Sequence, residues 1–74
     1  MEISECLPGT RVRLKKAVNA YLDAGRSGRI VGEGTLRDFV SVEFDLPVHN
    51  GHDCNGRARY GYGWNVSADA YMWW

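Results

Sequence analysis

Residues 42–66 read VEFDLPVHNGHDCNGRARYGYGWNV. At the start of this stretch, Val42 and Phe44 alternate with polar residues, which is the period-two pattern of a strand with one buried face. Pro47 ends the strand, because proline cannot donate a ladder hydrogen bond. After a loop rich in turn-forming residues, the alternation resumes around Trp64. The stretch predicts two strands of a small β-barrel, joined by one elaborate loop.

Short strands separated by glycine and proline turns are also predicted in the rest of the chain. The predicted strands are residues 11–16, 27–31, 39–44, 62–66 and 71–74. In the third strand, Ser41 and Glu43 would lie on the face opposite Val42, because successive strand residues point to opposite sides. Residues 17–26 are expected to form a long loop with at most one helical turn. Ser67 is placed to cap a short helical turn before the last strand.

These elements predict the fold class. Short strands, a long loop after the first and a helical turn before the last describe an SH3-like barrel. The chain has 74 residues, which leaves room for one domain spanning residues 1–74. Closing the sheet protects the strand edges of so small a domain. We therefore expect an all-β protein: a single small SH3-like barrel of about five antiparallel strands.

Charge and cysteine usage limit the environments that suit this chain. Nine basic and nine acidic residues cancel, so no global field would hold nucleic acid nonspecifically. No apolar run approaches the ~20 residues of a membrane span, so no membrane partner is predicted. The acidic start, residues 1–5, differs from a secretory signal. Cys6 and Cys54 are the only cysteines, and a cytoplasmic protein with two free thiols is the expectation.

Several segments resemble known families. The segments GTRVRL at 9–14, GRIV at 28–31 and VSVEFD at 40–45 are similar in order and spacing to SH3-like barrels of the KOW and CAP-Gly type. With GHDCNG at 51–56 and GYGWNV at 61–66, the chain resembles small uncharacterised bacterial and phage proteins with the pattern V-E-F-D-x-P…G-H-x-C-x-G…G-x-G-W-x-V. That narrower resemblance covers roughly residues 9–70. It implies the fold and a short stand-alone protein of a prokaryote or phage, and it carries no established activity.

The two broader resemblances imply different partners. CAP-Gly domains recognise acidic-aromatic C-terminal tails through a G-K-N-D-G loop, and residues 49–53 of this chain lack the lysine and the order of that motif. KOW motifs imply contact with RNA or the ribosome, in sequences more basic than this neutral chain.

Histidine and cysteine residues in the long loop are the candidates for a metal site. Zinc prefers imidazole and thiolate ligands, and the candidates are His49, His52, Cys54 and the distant Cys6. Their spacing lacks the paired C-x₂₋₄-C ligands typical of structural zinc sites. We therefore predict no metal and no cofactor, with His52 and Cys54 packed and hydrogen-bonded beneath the loop.

The same loop contains the residue types of a cysteine nucleophile and its general base. Cys54 with His49 or His52 as base would also need a pocket and an oxyanion hole. A barrel of this size rarely encloses a substrate. We predict that the protein is not an enzyme and that it has no catalytic residues.

Aromatic residues are concentrated near the end of the sequence, where Trp73 and Trp74 are adjacent. Adjacent strand residues point to opposite faces, so at least one of the two tryptophans should be partly exposed. An exposed tryptophan is covered by another part of the chain, by a partner or by a second copy. A binding role, including a homodimer through these aromatics, is therefore one of the expectations.

A basic-aromatic group precedes the fourth strand. If the segment is extended, Arg57 and Arg59 share one face. Together with Tyr60 and Tyr62 they would resemble a platform for single-stranded nucleic acid, in which bases stack on aromatic rings and arginines contact phosphates. The alternative is that both arginines are solvated and paired with nearby carboxylates.

Taken together, these patterns predict a non-enzymatic protein-binding module. The predicted partner-binding residues are Arg57, Arg59, Tyr60, Tyr62, Trp73 and Trp74. The phage-like resemblance suggests a host or cellular protein as the partner that is bound and modulated. The alternative is a nucleic-acid-binding domain whose basic surface is extended by Arg11, Arg13 and Lys15. A zinc-stiffened structural accessory is the third interpretation.

Overall fold

A computed structural model describes all 74 residues and shows five antiparallel strands in one sheet. The strands are β1 (Arg11–Leu14), β2 (Ser27–Glu33), β3 (Phe39–Phe44), β4 (Gly63–Ser67) and β5 (Tyr71–Trp73). Short 3-10 turns lie at Ile3–Glu5 and at Ala68–Ala70, the second directly before β5. The strand order is β4-β3-β2-β1-β5. The prediction of an all-β, five-stranded SH3-like barrel with a short helical turn before the last strand is confirmed.

One face of the curled sheet forms the hydrophobic core. Alternation along β3 buries Val40, Val42 and Phe44 together, and the register pairs Val42 with Ile30 on β2 and with Trp64 on β4. Trp64 is only partly buried and packs against this core. The buried core residues are Val12, Leu14, Leu22, Ile30, Val40, Val42, Phe44, Val48, Val66, Ala68, Ala70 and Tyr71. Burial of these side chains provides most of the driving force for folding.

Strand boundaries agree with the sequence prediction in the middle of the sheet and differ at its margins. Strand β3 spans Phe39–Phe44 as predicted. Strand β2 continues to Glu33, because a bulge between Ile30 and Gly32 restores pairing with β3. Strand β1 stops at Leu14 rather than residue 16, β4 begins at Gly63 rather than residue 62, and β5 stops at Trp73 rather than residue 74.

The loop after β1 contains no helical turn. The side chain of Asn19 accepts a hydrogen bond from the backbone N–H of Tyr21 at 2.8 Å, a local bond that competes with helix formation. The N–H of Val18 donates to the carbonyl of Leu22 at 2.9 Å and closes the turn. Leu22 is fully buried and anchors this loop to the core.

Ser67 occupies the position before the 3-10 turn Ala68–Ala70, but its side chain does not cap the turn. The Ser67 hydroxyl instead bonds to the carboxylate of Asp69 at 2.7 Å. The turn is held to the sheet by the N–H of Ala68, which donates to the carbonyl of Asp38 at 2.8 Å. No helix of the protein has the length and apolar character needed to cross a membrane.

Candidate partner-binding surface

The long loop between β3 and β4 covers part of the sheet's outer face, which we define as the side opposite the core. Val48 near the start of the loop belongs to the core, and its N–H donates to the carbonyl of Gly61 at 2.8 Å. His52 forms an antiparallel bridge with Gly63 on β4. A Cβ atom at Gly63 would lie 2.6 Å from the sulfur of Cys54. Because Gly63 has no side chain, the loop can pack closely over β3 and β4.

Of the four residues of the zinc hypothesis, only His52 and Cys54 lie together. The ring of His49 stacks on Tyr21 with centroids 4.0 Å apart. His52 accepts a hydrogen bond at Nδ1 from the backbone N–H of Cys54 at 3.0 Å. Cys6 lies at the N-terminal turn and is hydrogen-bonded to the carbonyl of Glu2. No group of three His, Cys, Asp or Glu side chains is arranged to hold a metal ion.

Cys54 has the environment of a structural thiol. It is 3% exposed, and burial raises the pKa of its thiol. A raised pKa favours the protonated thiol, which is a poor nucleophile and a poor metal ligand. Cys54 is thus buried within the loop, and its backbone N–H, not its thiol, bonds to the ring of His52.

Arg57 holds the loop to the sheet. Its Nε donates to the carbonyl of Cys54 at 3.1 Å, and its Nη2 donates to the carbonyl of Glu33 at 2.8 Å and the hydroxyl of Ser41 at 3.2 Å. The guanidinium occupies the space where a Cβ atom at Gly32 would lie. Although Arg57 was predicted to contact a partner, its Nε and Nη2 already bond within the chain, and only Nη1 has no partner there.

Arg59 is exposed, and its guanidinium lies against the partly buried ring of Tyr62. The guanidinium carbon of Arg59 lies 4.4 Å from the centroid of the Tyr62 ring. The backbone N–H of Arg59 donates to the carboxylate of Glu43 at 2.6 Å, which fixes the residue beside β3. Tyr60 is 79% exposed. Residues 57–62 mostly form turns rather than the extended segment assumed from sequence, so Arg57 and Arg59 have different surroundings.

The outer face of β5, β1 and β2 is not covered by the loop. Register places Arg11 opposite Arg29, and Arg29 opposite Glu43, in a row across the strands. The N–H of Trp74 donates to the carbonyl of Arg11 at 3.3 Å. The guanidinium carbon of Arg11 lies 5.2 Å from the centroid of the Trp74 ring. Arg13, the next outward residue on β1, lies opposite Met72 and Ser27.

Carboxylates fix the middle of this surface. The two guanidinium nitrogens of Arg11 donate to the two oxygens of Asp45 at 2.8 and 2.6 Å. The Ser27 hydroxyl donates to the same carboxylate at 2.8 Å. The bond from Arg11, with a further contribution from Ser27, lowers the pKa of Asp45 to about 2. Arg29 makes a longer contact of 3.3 Å with Glu43.

We call this surface the arginine face, and we define it by Arg11, Arg13, Arg29, Arg59, Tyr62 and Trp74. Trp74 lies at its β5 end and the Arg59–Tyr62 pair at its β3 end. Trp73 does not belong to it, because Trp73 pairs with Val12 and shares the core-facing side of β5. Both tryptophans are nevertheless exposed, Trp73 by 55% and Trp74 by 68%. Arg29 was not predicted on this surface, because only the strand pairing places it beside Arg11.

The chain matches no protein-family model, no curated protein and no solved structure. The resemblance to small bacterial and phage proteins therefore stays a prediction.

Proposed function

We propose that this protein is a non-enzymatic binding module whose partner is another protein that docks on the arginine face. The observation that carries the proposal is the position of Trp74, which is 68% exposed yet ordered against Arg11. Tryptophan, tyrosine and arginine are the residues most enriched in the energetic centres of protein interfaces. Here Trp74 lies against Arg11, and the Tyr62 ring lies against Arg59.

Preorganisation supports this choice of surface. Arg11 is fixed by Asp45, and Arg59 is fixed through its backbone by Glu43 and through its guanidinium by Tyr62. Side chains that are already ordered lose less conformational entropy when a partner binds. A surface with arginines held beside aromatic rings is therefore suited to binding.

The cavities of the protein also favour binding over catalysis. The largest, about 430 Å³, lies between the N-terminal turn and strands β2 and β3. Its only ionisable lining groups are Cys6 and Glu33. Burial raises the pKa of Cys6, which makes a reactive thiolate less favourable there.

The biological setting forms part of the same proposal. The resemblance to phage proteins suggests that the partner is a host protein that is modulated by binding. Both cysteines are free thiols, which suits the reducing cytoplasm. A second copy of the chain is an alternative partner for the exposed Trp73 and Trp74.

A nucleic-acid partner is the second candidate. The observation that favours it is the stack of Arg59 on Tyr62 beside the exposed Tyr60, an arrangement that can contact both phosphate and base. The chain's zero formal charge provides no general attraction to support such binding.

Affinity capture with matched variants tests the proposed function. We expect the wild-type protein to capture the same proteins from a bacterial lysate as Arg37→Gln, an exposed arginine outside the arginine face. Trp74→Ala should fail to capture these proteins while retaining the wild-type circular-dichroism spectrum and melting temperature. Unchanged capture by folded Trp74→Ala would exclude this face as the binding site. Size-exclusion chromatography of the same samples identifies the case in which the partner is a second copy.

A further inference from the structure

The zero formal charge of the chain hides an uneven distribution. The arginine face holds four arginines, and the only carboxylates that contact it are Glu43 and Asp45. The rest of the chain has seven carboxylates and five lysines or arginines. The exposed face is therefore positive and the remainder is negative. A partner that approaches with negative charge is guided toward this face.

Two guanidinium groups on the face have no acceptor. Asp45 is occupied by Arg11 and Ser27, and Glu43 contacts Arg29 and the backbone of Arg59. The structure gives the side chains of Arg13 and Arg59 no hydrogen bond and no ion pair. Arg13 lies on β1 and Arg59 beside β3, which are two strand spacings or about 10 Å apart. Both groups remain available to an external anion.

We propose that the arginine face binds an acidic polypeptide segment, whose carboxylates pair with Arg13 and Arg59 while an apolar side chain packs on Trp74. This inference rests on the proposed function and specifies the partner's chemistry. Carboxylates bind guanidinium groups through two parallel charge-assisted hydrogen bonds. The exposed ring of Trp74 and the adjacent Met72 offer an apolar contact at the β5 end.

The fixed carboxylates favour a polypeptide over a nucleic acid. Asp45 and Glu43 contact the centre of the face, beside Arg11 and Arg29. A nucleic-acid strand carries a charge on every phosphate and would bring some of these charges toward the two carboxylates. A polypeptide can place neutral residues there and acidic residues at the two free arginines. Like charges brought together at an interface oppose binding.

The test uses a fluorescein-labelled peptide with the sequence Glu-Ser-Leu-Ser repeated three times. When this peptide is extended, its glutamates lie on one side about 13 Å apart, comparable to the roughly 10 Å between the strand positions of Arg13 and Arg59. The matched control has Gln in place of every Glu. Fluorescence anisotropy at low salt measures the affinity of both peptides and of a labelled dT12 oligonucleotide.

We expect the Glu peptide to bind at least about tenfold more tightly than the Gln peptide. Arg13→Gln and Arg59→Gln should each weaken binding about fivefold, the scale of one exposed charge pair. Arg37→Gln should bind like the wild type. Absence of Glu-peptide binding, equal binding of the two peptides, or unchanged binding by folded Arg13→Gln and Arg59→Gln would overturn the inference.

The outcomes also separate this inference from the proposed function. If proteins are captured through Trp74 but the Glu peptide neither binds nor competes, the partner is not acidic and the binding module remains. If dT12 binds more tightly than the Glu peptide and requires Arg13 and Arg59, both the acidic partner and the protein-binding assignment are wrong.

Discussion

Tyr71 begins strand β5 with a fully buried side chain whose hydroxyl has no hydrogen-bond partner. Burial raises the pKa of this phenol far above its usual value, so it stays neutral at all ordinary pH values. The ring of Tyr71 fills the core opposite Leu14 and favours folding. The unpaired hydroxyl opposes folding, because it loses its hydrogen bonds to water. An unpaired buried hydroxyl costs about 1–3 kcal/mol of desolvation.

Removal of that hydroxyl should stabilise the protein. Tyr71→Phe keeps the ring, and we expect it to raise the free energy of unfolding by about 1 kcal/mol. Urea denaturation followed by tryptophan fluorescence measures the change. Tyr60→Phe, at an exposed position, is the control and should have no effect. A less stable Tyr71→Phe protein would show that the hydroxyl makes a favourable contact.

Asp45 gives the protein a specific acid sensitivity. Its pKa is about 2 in the folded protein, lower than the ordinary value of 3.8. The carboxylate therefore contributes stability above about pH 4, and this contribution is lost as pH falls toward 2. Its side chain is 45% exposed, so solvent screening limits the contribution to about 0.5–1 kcal/mol.

Asp45→Asn should reduce this pH dependence. We expect the variant to be about 0.5 kcal/mol less stable than the wild type at pH 7 and nearly equal to it at pH 2. Urea denaturation across this pH range provides the comparison, with exposed Asp23→Asn as the control. A constant difference from pH 7 to pH 2 would assign the effect to packing rather than to the ion pair.

At the scale of elements, the long loop and the sheet are joined through Arg57. Its guanidinium bridges the carbonyl of Cys54 in the loop and that of Glu33 at the end of β2. A lysine carries the same charge but lacks the planar group that reaches both carbonyls. The link therefore depends on the shape of the side chain more than on its charge.

Arg57→Lys should loosen the loop while leaving the sheet intact. We expect the amides of His52 and Ala58, which are hydrogen-bonded within the loop region, to exchange about tenfold faster with solvent. Amides of β1 and β2 should exchange at their original rates. Hydrogen exchange followed by NMR makes the comparison, with Arg37→Lys as the control. Equal acceleration across the whole sheet would mean that Arg57 supports global stability instead.

The elements also show which parts of the fold are readable from sequence. Strand β3 was predicted with its observed bounds because its apolar residues alternate and Pro47 follows closely. The extension of β2 was not, since the bulge before Gly32 depends on pairing with β3. The role of Arg57 was missed for the same reason. Its partners at Glu33 and Ser41 are distant in the sequence.

The exposed surface of the protein could be predicted only in part from the sequence. The tryptophans and the basic-aromatic group of Arg57, Arg59, Tyr60 and Tyr62 were identified from their positions in the sequence, and the structure pairs Trp74 with Arg11 and Tyr62 with Arg59. Arg29 joins the arginine face through cross-strand register, which requires the strand order. The positive character of the face was hidden because the charges cancel over the full sequence.

The pairing of β1 with β5 also has a consequence for biosynthesis. Arg13 lies opposite Met72, so one neighbour of β1 is translated long after β1 itself. At 5–20 residues per second, the ribosome needs roughly 3–12 seconds to make the intervening chain. Throughout that interval, Val12 and Leu14 lack the cover that Tyr71 later provides. Completion of the barrel therefore waits for the translation of β5, and until then β1 can pair only with β2.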